Sequence, residues 1–219
     1  IVDTKTKEVY KYEALIRYIT KEGVEIAPYH FINVAKKTKL YPNIIKIVIQ
    51  DSFKLIKNKN KRVSVNISFD DIANEETTAF IYEILEQNKD LTQFLEFEIL
   101  ESEEISDFNE VSRFISEIKK FDCIVGVDDF GAGYSNFNLL TLLDIDFVKI
   151  DGSLIEKINS SKDLEIIVNT IANFSKEFKV KTVAEYVSNE DIYNKIKELN
   201  IDYCQGYYFD RPLCYDCIK

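Results

Sequence analysis

CIVGVDDFGAGYS, Cys123 to Ser135, decides how this chain is read. Its first half is a short apolar run of strand type, and it ends in two adjacent carboxylates, Asp128 and Asp129. A glycine-rich turn follows, where Gly131 and Gly133 permit positive φ and let the backbone approach a ligand closely. The embedded D-F-G also occurs in kinases. A kinase needs an H-R-D-type loop and a glycine-rich strand turn as well, and neither is present. The unit to look for elsewhere is a strand that delivers polar groups at its C-terminal end.

That unit recurs along the chain. Strand-type runs are Val9 to Arg17, Val63 to Ser68, Phe94 to Leu100, Cys123 to Asp128, Phe147 to Ile150, Thr182 to Glu185 and Tyr203 to Gln205. Amphipathic helical stretches lie between them. Phe108, Val111, Phe114, Ile115 and Ile118 share one helical face, and so do Leu164, Ile167, Val168, Ile171, Phe174 and Phe178. Asn74 and Asp163 are candidate helix starts. Repeated strand–helix units imply an α/β fold with a largely parallel sheet, doubly wound or closed into a barrel. The runs number seven, whereas a closed (β/α)8 barrel needs eight. The chain opens immediately before a strand and without a methionine, so the missing first strand is expected upstream of the numbered chain.

Composition limits what such a fold can do. The chain has 219 residues, 46% of them hydrophobic and 30% charged, which suits a globular domain with a sizeable core. No apolar run approaches the ~20 residues that span a bilayer. The opening segment Ile1 to Lys11 lacks the apolar stretch of a signal peptide. A cytoplasmic domain is expected, whatever anchors its parent chain. The net charge of −10 repels nucleic acid phosphates, so DNA and RNA are not expected partners. An anionic substrate stays compatible if metal ions supply local positive charge.

The strand ends carry a chemically coherent set: Glu13, Asn66, Glu98, Asp128, Asp129 and Glu185. A lone acidic residue after a strand usually caps a helix or sits in a solvated loop. Six oxygen donors on one rim are less easily dismissed. They include no imidazole, so they suit Mg²⁺ or Mn²⁺ better than zinc. Carboxylates crowded without cations raise each other's pKa values, and two divalent ions would relieve that. Glu13 and Arg17 fall on one face of an alternating strand. They are either a buried ion pair or a metal ligand beside a phosphate-binding group. Of the four cysteines, Cys123 and Cys204 read as core residues. Cys214 and Cys217 form a lone C-x-x-C, without the four ligands of a structural zinc site, and are expected as reduced thiols.

With these pieces in order, the chain resembles the EAL family of cyclic di-GMP phosphodiesterases. The matching segments are EALIR (Glu13 to Arg17), VNIS (Val65 to Ser68), FEILES (Phe97 to Ser102) and DDFGAGYS (Asp128 to Ser135). They continue with VKIDGS (Val148 to Ser153), VAE (Val183 to Glu185) and QGYYF (Gln205 to Phe209). The resemblance implies a TIM-like (β/α)8 barrel with one antiparallel strand. Residues 1–219 would form one EAL domain, incomplete at its N-terminus, that hydrolyses cyclic di-GMP to linear pGpG with two Mg²⁺ or Mn²⁺ ions. Glu13, Asn66, Glu98 and Asp128 look like ligands of one ion, and Asp128, Asp129 and Glu185 like the surroundings of the second. Lys149 looks like the lysine that orients the attacking water, and Glu185 also resembles the general base. Arg17 looks like a phosphate contact, Gln205 like a pocket residue, and Glu101 like the anchor of the DDFGAGYS loop. The resemblance further implies an upstream sensory or GGDEF module in the parent chain and leaves a homodimer open.

This chain departs from the family in three respects. The family's first strand, with a tyrosine-glutamine segment that helps line the pocket, is expected upstream of the numbered chain. The other two departures lie in one motif. The family commonly reads A-E-G-V-E where Ala184 to Ser188 read A-E-Y-V-S, so Tyr186 replaces a glycine and Ser188 a glutamate. The alternatives to an enzyme are a degenerate EAL domain that binds cyclic di-GMP without turnover, and a scaffold with a dead pocket. Degenerate members usually lose the first glutamate of E-A-L or one of the paired aspartates, and this chain keeps them all.

Overall fold

A computed structural model of the chain describes residues 1–38, 41–100, 108–132, 137 and 139–218. In chain order its strands are β1 (Val2–Asp3), β2 (Lys11–Glu13), β3 (Tyr18–Ile19), β4 (Glu25–Ile26), β5 (Arg62–Ile67) and β6 (Leu95–Leu100). They continue with β7 (Ile124–Phe130), β8 (Phe147–Ile150), β9 (Lys181–Ala184) and β10 (Tyr203–Cys204). The helices are α1 (Ile32–Lys36), α2 (Tyr41–Lys59), α3 (Phe69–Ala73), α4 (Glu75–Gln87) and α5 (Phe108–Lys119), then α6 (Leu139–Leu142), α7 (Gly152–Glu156), α8 (Lys162–Glu177) and α9 (Glu190–Glu198).

Eight strands form one sheet in the order β1-β10-β9-β8-β7-β6-β5-β2, parallel except for β1, which runs antiparallel to β10. The ends approach each other, because Val2 bridges Val9 and the Tyr10 amide donates to the Ile1 carbonyl at 3.0 Å. The result is a nearly closed, TIM-like barrel. The sequence count of seven strands is corrected here. Val2–Asp3 supplies the eighth from within the numbered chain, and two residues are too few to show a period-2 pattern. The expected strand Val9 to Arg17 contracts to Lys11–Glu13, and Tyr18–Ile19 turns away to pair with Glu25–Ile26 in a separate hairpin.

Alternation along each strand sorts side chains into two environments. Val63, Val65, Ile67, Leu95, Phe97, Ile99, Val125, Val127, Val148 and Ile150 join the helices in one hydrophobic cluster. The alternate residues face the barrel interior, and many are charged. Helix α5 buries Val111, Phe114, Ile115 and Ile118 as its periodicity predicts. Helix α8 buries Val168 and Ile171 but leaves Ile167 and Phe178 exposed. Asn74 caps α4 by accepting from the Thr77 amide. The cap of α8 is Ser161 rather than Asp163, which lies in the first turn. Among the described residues no helix is long and apolar enough to cross a membrane.

Near the C-terminus Cys214 and Cys217 are joined as a disulfide. Their expectation as reduced thiols is corrected: the helical turn Tyr215–Cys217 brings their Cα atoms to 5.4 Å, within bonding reach. Cys123 and Cys204 are buried, as expected of core residues.

Candidate active site

At the C-terminal ends of the strands, the predicted residues converge on one ammonium group. Lys149, fully buried on β8, places Nζ 2.9 Å from Asp128 Oδ1 and 2.9 Å from Glu185 Oε1. The same nitrogen lies 3.1 Å from Glu98 Oε2 and 3.3 Å from Glu13 Oε2. Five elements therefore supply the cluster: β2, β6, β7, β8 and the end of β9. Glu13 is further held by neutral donors. Asn66 Nδ2 donates to its Oε1 at 2.9 Å, and Gln205 Nε2 to its Oε2 at 2.9 Å.

Electrostatics separates the carboxylates. Burial works against the charge of Glu98, but Lys11 and Lys149 outweigh it and hold the group at about 2. Burial pushes Asp128 up to about 6 and Glu185 up to about 8, against the pull of Lys149. Asp129 moves the same way, through burial and then the nearby Asp151. Burial also opposes the Lys149 ammonium, yet Glu98, Glu13, Asp128 and Glu185 together raise it well above its ordinary value. Four carboxylates crowd the Lys149 ammonium, and of these Glu98 has a second cation, Lys11.

Local backbone features aim these groups. A register shift in the pairing of β7 with β8, between Val127 and Phe130, throws Asp129 out of line with φ 55°. The Asp129 amide then donates to Asp128 Oδ1 at 3.0 Å. Gly131 adopts φ 100°, as its motif predicts, whereas Gly133 lies outside the described residues. Gly206, behind Gln205, is needed for space: a Cβ there would lie 2.1 Å from the Val187 carbonyl oxygen. Ser68 of VNIS has a structural role, forming a reciprocal capping box with Asp71 at the start of α3.

Carboxylate oxygens of Glu13, Glu98 and Asp128 lie within 4.8 Å of one another, and so do those of Asp128, Asp129 and Glu185. Asp128 belongs to both sets. Asn66 turns its amide nitrogen to Glu13, and its Oδ1 is buried with no hydrogen-bond partner among the described residues. It is an oxygen donor held ready beside the first set. These hard oxygen donors, without sulfur or imidazole, fit Mg²⁺ or Mn²⁺.

One candidate sits differently from the sequence reading. Arg17 leaves the sheet with its loop, and its guanidinium donates to the Ile16 carbonyl at 2.9 Å. Glu13 takes Lys149 as its cation, so the same-face Glu13–Arg17 ion pair is not formed. Glu101 lies outside the described residues. Lys11 and Glu96, which sequence reading passed over, are both buried in the barrel interior. The signal for them was present: each sits two positions before a metal candidate, Glu13 or Glu98, and so on the same strand face.

The sequence model of the EAL domain matches residues 1–212. The chain belongs to the EAL domain family. It is 30% identical to a cyclic di-GMP phosphodiesterase, PdeA, of Borreliella burgdorferi over 207 residues, 92% of this chain and 31% of that protein. It is 29% identical to the cyclic di-GMP phosphodiesterase PdeB of Shewanella oneidensis, over 91% of this chain and 24% of that one. This EAL domain thus spans under a third of the length of these curated relatives. The crystal structure of an EAL domain protein from Listeria monocytogenes matches with TM-score 0.89 at 29% identity, covering 97% of this chain and 85% of the other. The PaMucR phosphodiesterase in its c-di-GMP complex matches with TM-score 0.88 at 24% identity, a likeness of fold.

Proposed function

We propose that this EAL domain hydrolyses cyclic di-GMP to linear pGpG, using two Mg²⁺ or Mn²⁺ ions. The observation that carries this reading is Asp128, shared between two carboxylate triads over the buried Lys149. Glu13, Asn66, Glu98 and Asp128 would hold one ion, and Asp128, Asp129 and Glu185 the other. Such ions neutralise charge that develops on a phosphodiester as its P–O bond breaks. Glu185, at the end of β9 beside Asp128 and Lys149, is the group to accept the proton of the attacking water. Lys149 can position that water from below. Gln205 orients Glu13 at the pocket wall, and Arg17 is proposed to swing from its loop carbonyl onto a substrate phosphate.

The test is incubation of the domain with cyclic di-GMP and Mn²⁺, with chromatography for pGpG. Accumulation of pGpG is expected. Retention of intact cyclic dinucleotide by a domain that binds it would make this chain a receptor instead. Glu13, Asp128 and Asp129, the carboxylates that degenerate members usually lose, are all present, which argues for the enzyme.

A further inference from the structure

Beneath the metal site lies a second charged cluster that the chemistry above does not use. Lys11, fully buried on β2, donates from Nζ to Glu96 Oε2 at 2.7 Å and to Glu98 Oε1 at 2.9 Å. Its ammonium also stands 3.7 Å above the ring centroid of Phe147. That ring lies flat there because residue 126 is glycine, where a Cβ would come within 2.3 Å of it. Arg62 reaches Glu96 Oε1 from outside at 3.5 Å. Charges therefore alternate up the barrel axis: Arg62, Glu96, Lys11, Glu98, Lys149, and then the remaining rim carboxylates.

We propose that Lys11 is a positioning residue for the metal site: its ammonium occupies one carboxylate oxygen of Glu98 from below, so only the other is offered to a cation. This rests on the two-metal reading of the rim. Three contacts fix Lys11 in place: two carboxylates and one aromatic face. Glu98 Oε1 is thereby committed. Among the described residues Oε2 accepts no hydrogen bond, and it faces the rim, ion-paired with Lys149 Nζ at 3.1 Å. A glutamate restricted to one oxygen suits the small octahedral shell of Mg²⁺ or Mn²⁺. Ca²⁺ takes six to eight ligands and accepts bidentate carboxylates. Lys11 thus contributes affinity, by fixing a ligand's direction, and selectivity, by denying it a second bond.

The experiment measures Mn²⁺ and Ca²⁺ binding directly, Mn²⁺ by electron paramagnetic resonance and Ca²⁺ by calorimetry, on the wild-type chain and on Lys11→Met/Glu96→Gln. The double variant removes one charge of each sign, so the net field at the rim changes little while Glu98 loses its support. Mn²⁺ affinity should fall ~10-fold or more, the usual cost of losing a group that orients a ligand. The preference for Mn²⁺ over Ca²⁺ should narrow by a similar factor. A folded double variant with wild-type affinity and preference would overturn the proposal. Wild-type protein that binds no Mn²⁺ would overturn the metal reading itself, and this inference with it. A structure of the wild-type chain with Mn²⁺ bound gives a readout that needs no variant. Glu98 should reach the ion through Oε2 alone with Oε1 still on Lys11, and a chelating Glu98 would refute the idea.

Discussion

The floor and the rim of this barrel each bury a lysine among carboxylates, and the two clusters balance differently. At the floor, Lys11 and Arg62 face Glu96 and Glu98, two cations against two anions, with every charge in contact with an opposite one. At the rim, Lys149 is, among the described residues, the one cation against Glu13, Asp128 and Glu185, and it also touches Glu98, which the floor already matches. Removing charge from water is costly, so a buried cluster persists when it is matched within itself or by something it binds. The floor meets the first condition. The rim is short of positive charge, and divalent cations are what such a set of oxygens accepts.

The largest effect should come from removing a ligand, even though that lessens the negative excess of the rim. Glu13→Ala removes a carboxylate that Asn66, Gln205 and Lys149 all hold. Cyclic di-GMP hydrolysis should drop by ~100-fold or more, as measured by pGpG formation at saturating Mn²⁺. Near-wild-type turnover would break the assignment of the rim as the catalytic centre. The next effect is on stability. Lys149→Met leaves four buried carboxylates without their common cation, and breaking a buried pair costs about 3–5 kcal/mol. The loss should be greatest with chelator present and partly recovered by Mn²⁺, as read from Tm in the two conditions. An equal loss in both would mean that no ion enters the cluster.

The contrast also predicts how stability depends on pH. In metal-free protein, Glu185 and Asp128 have folded pKa values of about 8 and about 6, against ordinary values of 4.5 and 3.8. A folded pKa above the unfolded one gives stability that is complete below the unfolded value and lost as pH rises through the folded value. Stability in chelator should therefore fall on going from about pH 4 to pH 8, by an amount on the order of a few kcal/mol. Glu98 acts oppositely, with a folded value of about 2, and its contribution is lost only below pH 4.5. Mg²⁺ should reverse the trend above pH 6, because the ion replaces the protons and binds the folded state. Urea midpoints at pH 5.5 and 8.5, with chelator and with Mg²⁺, decide it. Coincident values in all four conditions would contradict the charge imbalance.

The rim was legible in the sequence and the floor was not, for a physical reason. Rim carboxylates stand where strand runs end, so Asp128 and Glu185 are marked by the change from apolar to polar residues. Lys11 and Glu96 lie inside runs that read simply as strand. Their pairing depends on β2 and β6 meeting across the barrel interior, with β5 between them in the sheet. The period of two places each on the interior face of its strand, but no local pattern encodes the contact between them. Arg17 shows the reverse error. Alternation carries it onto the face of Glu13, but the backbone leaves the sheet after Glu13, where the hairpin begins. The eighth strand escaped because two residues, Val2 and Asp3, carry no periodicity.

The smallest effect is expected where this chain departs from its family. Tyr186 follows Glu185 at φ 53°, as Asp129 follows Asp128 at φ 55°. Four of the other positive-φ residues, Asn60, Asp122, Lys179 and Asn200, lie between a helix and the next strand, a usual place for them. The two rim residues instead turn the chain sharply after a rim carboxylate, and glycine would do so without strain. For tyrosine the left-handed region costs ~1–2 kcal/mol. Against that, its ring lies on Gly152, where a Cβ would come 2.1 Å from Tyr186 Cδ2. With 69% of the residue exposed, the buried remainder is worth roughly 1–1.5 kcal/mol at ~25 cal/mol per Å². Glycine would also lose ~0.5–1 kcal/mol through the freedom it gives the unfolded chain. These contributions nearly cancel, so Tyr186→Gly should shift the urea unfolding free energy by less than ~1 kcal/mol. Glu185 should keep its direction, and the Mn²⁺ concentration for half-maximal rate should stay within about twofold, because the turn itself is retained. A loss of more than ~2 kcal/mol would show that the ring on Gly152 holds the rim together. A shift in metal requirement without a change in stability would show that Tyr186 aims Glu185, and that the strain at φ 53° is part of how this domain sets its second carboxylate triad.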